Sequence, residues 1–118
     1  MTTETAATSD TTPTDPVQID GQATLDEVVA EYDVVLADFY ADWCGPCKML
    51  EPIVETLAAE TDAAVAKVDV DANQQLATAY GVRGVPTLVL FADGEQVEEI
   101  VGVQPAEQLR SLVGRYTE

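Results

Sequence analysis

The pentapeptide WCGPC at residues 43–47 holds both cysteines of this 118-residue chain, separated by two residues. A nearly continuous apolar run over residues 34–40 precedes it and predicts a strand that is buried on both faces. A run over residues 48–60 with helical periodicity follows it. The two thiols are therefore predicted at a helix N-terminus, where unpaired backbone N–H groups and the helix dipole stabilise an anion. The relevant anion is a thiolate, which is the nucleophile in disulfide exchange.

Two other uses of a cysteine pair have to be considered. A structural zinc site usually needs four Cys or His ligands. This chain has two cysteines and no histidine, so a zinc site would have to be shared between two copies. A purely structural disulfide across two residues gains little from loop closure, because that gain grows with loop length. Redox chemistry is the interpretation that we favour.

The chain is strongly acidic, with 22 acidic residues, 5 basic residues and a formal net charge of −17. Three of the acids precede Val17, and the other 19 belong to the predicted domain. This charge argues against binding to nucleic acids or to anionic membranes, because both need a cationic face on the protein. It is typical of a solvated surface. It also resembles the composition of proteins from salt-loving archaea, in which salt screens the repulsion between like charges.

Residues 1–16 are predicted to form a disordered, acidic, Thr-rich tail, and residues 17–118 a single folded domain. The tail has no large apolar residue after Met1, so it cannot bury enough surface to offset the entropy of ordering. It also lacks the basic and apolar regions of a secretory signal. No stretch of the chain approaches the roughly 20 apolar residues of a membrane span. We therefore expect a cytoplasmic protein, in which a cysteine pair is more often catalytic or redox-sensing than a permanent link.

Periodicity and turn signals predict nine elements in the order β-α-β-α-β-α-β-β-α. They cover residues 17–19, 24–32, 34–40, 48–60, 64–70, 71–80, 87–91, 96–101 and 105–116. The alternating first part implies parallel strands joined by helices. Asp93-Gly94 is a strong hairpin signal and implies an antiparallel pair near the end of the chain. The sequence thus predicts an α/β fold with a mixed central β-sheet flanked by helices.

Local signals make three further predictions about the helices. Thr24 and Glu27 fit a capping box that begins the first helix. Asp71 is expected to cap the third helix. The second helix carries an apolar stripe, and Pro52 inside it is expected to cause a kink. The stripe consists of Met49, Leu50, Ile53, Val54, Leu57 and Ala58.

The pentapeptide with the cysteines and four further segments, in the right order, resemble the thioredoxin family. The further segments are Asp38 in the strand before the pentapeptide, Lys67 in the sequence AKVD, the loop GVPT at residues 84–87, and Gly102. Because the resemblance extends over the whole predicted domain, it implies the thioredoxin fold. One departure is Tyr40, which stands where the family often has a second tryptophan.

The resemblance implies a protein-disulfide reductase that works by dithiol–disulfide exchange. Cys44 would be the outermost sulfur and would attack as a thiolate, with a pKa lowered from about 8.5 toward neutrality. Cys47 would be more buried and would resolve the mixed disulfide. Asp38 would relay the proton of Cys47 from a buried position that is costly for a charge. Lys67 would be its neighbour and ionic partner.

The resemblance also implies a surface that binds client proteins around the cysteines. Trp43 would offer a flat apolar face, although a tryptophan packed in the core is the alternative. The bond between Val85 and Pro86 would be cis, so that the Val85 backbone could pair with an extended client segment. The implied substrate-binding residues are Trp43, Gly45, Pro46, Val85, Pro86 and Gly102.

The expected partners are client proteins with disulfides and a thioredoxin reductase that restores the dithiol. We expect a monomer with no cofactor and no metal. The Gly-Pro pair between the cysteines resembles reducing members, since oxidising and isomerising relatives more often carry His there. An oxidase or isomerase on the same fold remains an alternative, which a measured reduction potential would separate. A thiol-independent chaperone or binding subunit is another, and its activity would survive replacement of both cysteines by serine.

The net charge predicts that salt stabilises this protein. Raising KCl from about 0.1 M to molar concentrations shortens the screening length from about 10 Å to about 3 Å, which weakens repulsion among the surface acids. The melting temperature should therefore rise over that range, as measured by thermal unfolding at pH 7. A melting temperature that stays flat or falls would contradict an adaptation to high salt.

Overall fold

The computed structural model describes residues 12–117, so Glu118 and most of the predicted disordered tail, residues 1–11, lie outside the described part. The elements follow the predicted order. The strands are β1 (Val17–Gln18), β2 (Val34–Tyr40), β3 (Ala64–Asp69), β4 (Thr87–Ala92) and β5 (Glu95–Val101). The helices are α1 (Gln22–Glu31), α2 (Gly45–Glu60), α3 (Gln74–Ala79) and α4 (Ala106–Gly114). No helix in this part of the chain is long and apolar enough to cross a membrane.

The five strands form one mixed sheet in the order β1-β3-β2-β4-β5. β1, β3 and β2 run parallel to one another, and β4 and β5 are antiparallel to their neighbours. The predicted mixed central sheet flanked by helices is therefore confirmed. The first strand lies at an edge, and β2 lies in the centre with β3 and β4 on its two sides.

The central strand β2 separates two apolar cores. Its odd-numbered side chains, Phe39 among them, pack with α1 and α3 on one face of the sheet. Its even-numbered side chains, Leu36 among them, pack with α2 and α4 on the other face. Every residue from Val34 to Phe39 is buried, as the continuous apolar run predicts. Because side chains alternate along a strand, Asp38 points to the face that α2 and α4 cover.

Helix α2 begins at Gly45, three residues before the predicted start, because Cys44 occupies its N-cap position. Pro46 falls in the first turn, where its missing N–H has no helical partner to lose. The helix continues past Pro52 to Glu60. The kink expected at Pro52 stays a prediction.

The apolar stripe of α2 is confirmed for four residues that face the sheet, Leu50, Val54, Leu57 and Ala58. Ile53 is partly buried against the same core. The prediction for Met49 is wrong, since this side chain is 67% exposed. Met49 precedes Leu50 by one residue, which is about 100° around the helix, so it lies outside the face that Leu50 defines.

Two predicted caps are wrong because tertiary contacts take their place. Helix α1 begins after Gly21, whose N–H donates to the Asn73 side chain at 2.8 Å, and its N-cap has no side-chain hydrogen bond. Thr24 lies inside the helix and donates to the Asp20 carbonyl. The carboxylate of Asp71 does not cap α3, because it accepts a hydrogen bond from the indole of Trp43.

The hairpin between β4 and β5 is confirmed at Asp93 and Gly94, which have φ of 53° and 85°. Positive φ at both positions fits a type I′ turn, which matches the twist of the paired strands. This turn lies at the opposite end of β4 from Thr87, the residue that follows the GVPT loop's cis proline.

Core packing predicts different costs for two neighbouring residues of α2. Leu50→Ala removes a fully buried side chain and should lower the free energy of unfolding by about 2–5 kcal/mol. The matched change Met49→Ala should cost less than about 1 kcal/mol, because that side chain is exposed. Denaturant unfolding of the oxidised protein in molar KCl measures both. Similar losses in the two variants would mean that Met49 packs in the core after all.

Candidate active site

The cysteines lie where the chain leaves the central strand and enters α2. Cys44 is the N-cap of α2, and its sulfur accepts a hydrogen bond from the Cys47 N–H at 3.1 Å. The two residues form a disulfide with their Cα atoms 5.2 Å apart. A hydrogen bond and a helix N-terminus both favour negative charge on the sulfur that receives them. The fold therefore places the Cys44 sulfur where negative charge is favoured.

Exposure does not separate the two cysteine residues as expected. Cys44 is 5% exposed and Cys47 is 6% exposed in the disulfide form, so the predicted difference in burial is wrong. Both residues pack with Ala41 in a small cluster at the carboxyl end of β2. The asymmetry between the cysteines lies in the hydrogen bond from the Cys47 N–H to the Cys44 sulfur.

The topology of the sheet brings the GVPT loop to the same end of β2. β4 runs antiparallel to β2, and Thr87 at the start of β4 pairs with Phe39 near the end of β2. The bond between Val85 and Pro86 is cis, as the resemblance implied. The Val85 carbonyl oxygen lies 3.7 Å from the Cys44 sulfur. The backbone of the loop is thus in contact with the disulfide.

Gly102 follows the last residue of β5 and lies at the same end of the sheet as the GVPT loop. Val101 pairs with Thr87, which brings the next residue beside the loop. The Gly102 N–H donates to the Pro86 carbonyl at 2.8 Å, and its φ of 92° lies in the left-handed region that favours glycine. Gly102 thus holds the loop through the backbone.

Trp43 is 71% exposed, so the alternative of a core tryptophan is wrong. Its indole N–H donates to the Asp71 carboxylate at 2.9 Å, which orients the ring. The ring forms one wall of a cleft of about 140 Å³, which Trp43 lines together with Val70, Val82, Arg83, Gly84 and Val85. Gly45 and Pro46 are exposed on the other side of Cys44. An extended chain could therefore reach the disulfide from a mostly apolar groove.

Asp38 lies behind this surface and is 1% exposed. Its Oδ1 atom has no hydrogen-bond partner among the described residues. Burial raises the pKa of Asp38 from its ordinary value of 3.8 to about 6, the Lys67 ammonium lowers it in part, and the Glu51 carboxylate raises it further. A carboxyl group of this kind can take up or release a proton near neutral pH.

Lys67 is the neighbour of Asp38 across the sheet, since the two residues are register partners in β3 and β2. Its ammonium, however, forms an ion pair with Glu51 at 3.2 Å. It also lies 4.1 Å from the centre of the Tyr40 ring, where a cation is attracted by the ring face. The charge of Lys67 thus acts on Asp38 without a direct hydrogen bond.

A cleft of about 120 Å³ brings Lys67 and Glu51 together with the second cysteine, and Asp38 itself does not line it. The cleft is lined by Tyr40, Ala41, Asp42, Cys47, Lys48, Glu51 and Lys67. Sequence reasoning missed Glu51 and Asp71 as parts of the site. Glu51 follows Cys47 by four residues, which places both on one face of a helix and was a usable signal. Asp71 had no such signal, because its partner Trp43 lies 28 residues away in the chain.

Comparisons with known proteins agree on one family. A family model described as Thioredoxin matches residues 16–115. The thioredoxin of Bacillus subtilis is 51% identical over 85 residues, which span 70% of this chain and 82% of that protein. The thioredoxin of Chlamydia muridarum is 44% identical over 101 residues, which span 85% and 98%. A solved structure of a mutant thioredoxin from the halophile Halobacterium salinarum matches with a TM-score of 0.90 and 68% identity, covering 92% of this chain and 96% of that one.

The raised pKa of Asp38 predicts how stability depends on pH. Between about pH 4 and pH 6 the folded protein holds this proton while the unfolded chain releases it, so the free energy of unfolding falls as the pH rises. Above that window the ionised acid costs on the order of 3 kcal/mol. Asp38→Asn carries no charge, so it should be more stable than the wild type at pH 7, with a gain that shrinks toward pH 4.

Thermal and denaturant unfolding at several pH values measure this difference, with the exposed Asp62→Asn as the matched control. The control should change stability little at any pH. An Asp38→Asn protein that is less stable than the wild type at pH 7, or a gain independent of pH, would contradict the burial of an ionised Asp38.

Proposed function

This chain belongs to the thioredoxin family of thiol–disulfide oxidoreductases, and we propose that it reduces client disulfides with Cys44 as nucleophile and Cys47 as resolving thiol. The observation that carries the assignment is the hydrogen bond from the Cys47 N–H to the Cys44 sulfur at the start of α2. That bond stabilises negative charge on Cys44 alone, so Cys44 is the better attacking group.

In the first step the Cys44 thiolate attacks one sulfur of the client disulfide. A bond forms between Cys44 and the client, and the other client sulfur leaves as a thiolate that takes up a proton. In the second step Cys47 loses its proton and attacks the Cys44 sulfur. The Cys44–Cys47 disulfide forms, the second client thiolate leaves, and two electrons have passed from the protein to the client.

Asp38 accepts the proton that Cys47 loses, and the Lys67 ammonium lowers the pKa of Asp38 in part. Three features support this role. The acid is buried, its pKa of about 6 lies close to working pH, and one carboxylate oxygen has no partner among the described residues. Cys47 lines one cleft together with Lys67 and Glu51, the two residues whose charges act on Asp38.

Client binding uses the groove beside Cys44. The client segment lies extended against the Val85 backbone and pairs with it as an added strand, which gives affinity with little dependence on client sequence. Trp43 supplies an apolar face, Gly45 and Pro46 form the rim of the turn, and Pro86 and Gly102 hold the loop in place. The exposure of Trp43 and the contact of the Val85 carbonyl with the Cys44 sulfur support this mode.

The oxidised protein returns to the dithiol through a thioredoxin reductase, which supplies two electrons for each disulfide. The chain works as a monomer in the cytoplasm. Its −17 charge supports a cytoplasm with high salt, because screening is what makes such a charge tolerable in a compact fold.

The division of labour predicts which cysteine variant traps a client. Cys47→Ser keeps the attacking sulfur but cannot release the product, so a mixed disulfide with insulin should accumulate. Cys44→Ser removes the nucleophile and should leave insulin unmodified. Non-reducing electrophoresis and mass spectrometry of the reduced variants with insulin, in molar KCl, measure the adduct. Accumulation of the adduct with Cys44→Ser instead would reverse the two roles. A variant with both cysteines replaced by serine that keeps its full activity would indicate a thiol-independent function.

A further inference from the structure

Lys67 has two carboxylates within its reach and binds only one of them. Asp38 is its register partner in the neighbouring strand, and Glu51 lies on α2, which covers that face of the sheet. The ammonium forms its ion pair with Glu51 at 3.2 Å, while the Oδ1 atom of Asp38 has no hydrogen-bond partner among the described residues. The side chain of Lys67 is 12% exposed and that of Glu51 is 51% exposed, so the pair spans from the interior to the solvent.

We propose that Glu51 is a positioning residue for the reaction, because it holds the Lys67 ammonium in an ion pair and leaves Asp38 free to accept the proton of Cys47. This inference rests on the proposed role of Asp38. Glu51 touches neither the client nor the reacting sulfurs; it acts through Lys67. The Tyr40 ring supports the same placement of the ammonium from the other side, at 4.1 Å.

Besides burial, two charged groups act on the pKa of Asp38, and they lie on two different elements. β3 contributes Lys67 and α2 contributes Glu51, and these are the two charges that act on the acid. On the β4 side, the register partner of Asp38 is the apolar Leu88.

Four further ionisable groups, Tyr40, Asp42, Cys47 and Lys48, line the cleft that holds Lys67 and Glu51. Asp42 and Lys48 are exposed, Tyr40 is half-buried with its ring beside the Lys67 ammonium, and Cys47 is the proposed proton donor.

Removal of the Glu51 charge should change Asp38 in one direction by two routes. The carboxylate of Glu51 itself raises the pKa of Asp38, so its loss lowers that pKa. A Lys67 ammonium without its partner is also free to approach Asp38 and to stabilise the ionised form. An opposite charge at such range lowers a carboxyl pKa by about 1 or more. Asp38 would then be a weaker base toward the thiol of Cys47.

The direct test is a carbon-13 titration of the Asp38 carboxyl in the reduced protein at a fixed KCl concentration. In Glu51→Gln the midpoint should fall by about 1 pH unit relative to the wild type. Glu55→Gln is the matched control, because it makes the same charge change one turn further along α2 at an exposed position. Its midpoint should stay within about 0.3 of the wild type, since exposed charges at that distance are screened.

The action through Lys67 is tested by repeating Glu51→Gln in a Lys67→Met background. If Glu51 acts by holding Lys67, the midpoint should move much less there than in the wild-type background, as expected for coupled residues. An equal movement in both backgrounds would show that Glu51 acts by its own charge alone and would overturn the proposal. No movement in either background would overturn it as well.

A kinetic experiment separates this inference from the proposed function. The pH profile of mixed-disulfide resolution should move to lower pH in Glu51→Gln, in parallel with the titration, and stay in place in Glu55→Gln. An unchanged rate of resolution in Asp38→Asn would overturn the proton relay itself. An unchanged profile in Glu51→Gln, together with a slow Asp38→Asn, would overturn only the part assigned to Glu51.

Discussion

The burial of strand β2 on both faces is the constraint on which the redox site depends. Neighbouring strands pair with both of its edges, and helices cover both of its faces. The end of the strand at Tyr40 is therefore fixed, and the turn that follows can place Cys44 at the N-cap of α2 with little freedom. The loop before β4 reaches the carboxyl end of β2 only because β4 is antiparallel to β2. A site made of loops thus gains its accuracy from a rigid sheet below it.

The same burial places an acid in an apolar core at a cost to stability. Asp38 is the one charged side chain among the fully enclosed residues of β2, and nothing in the described chain donates a hydrogen bond to its Oδ1 atom. A structure optimised only for stability would pair this carboxylate with the nearby Lys67. The ammonium instead pairs with Glu51, and the pKa of Asp38 stays near 6. Conflicts of this kind between local stability and placement are expected at functional sites.

Signals that depend on a few neighbouring residues were readable from the sequence, and those that depend on distant contacts were not. The apolar run gave the bounds of β2, and Asp93-Gly94 gave the hairpin, because both follow from local backbone and burial preferences. The caps predicted at Thr24 and Asp71 failed, since the N-cap residue Gly21 bonds to Asn73, 52 residues away, and Asp71 bonds to Trp43, 28 residues away. The resemblance located Lys67 beside Asp38. It did not indicate the ion pair of Lys67 with Glu51, because that pair depends on how α2 packs on the sheet.

Two electrostatic costs coexist in this protein, and salt acts on only one of them. The exposed acids repel one another through water, where a screening length of about 3 Å in molar salt removes most of the interaction. The cost at Asp38 comes mainly from lost hydration, and mobile ions cannot replace that hydration for a side chain that is 1% exposed. The ion pair of Lys67 with the half-exposed Glu51 is intermediate between these two cases in how strongly salt acts on it. A chain of net charge −17 can therefore rely on salt for the stability of its surface, while burial, which salt does not alter, keeps the pKa of Asp38, the proposed proton acceptor, at about 6.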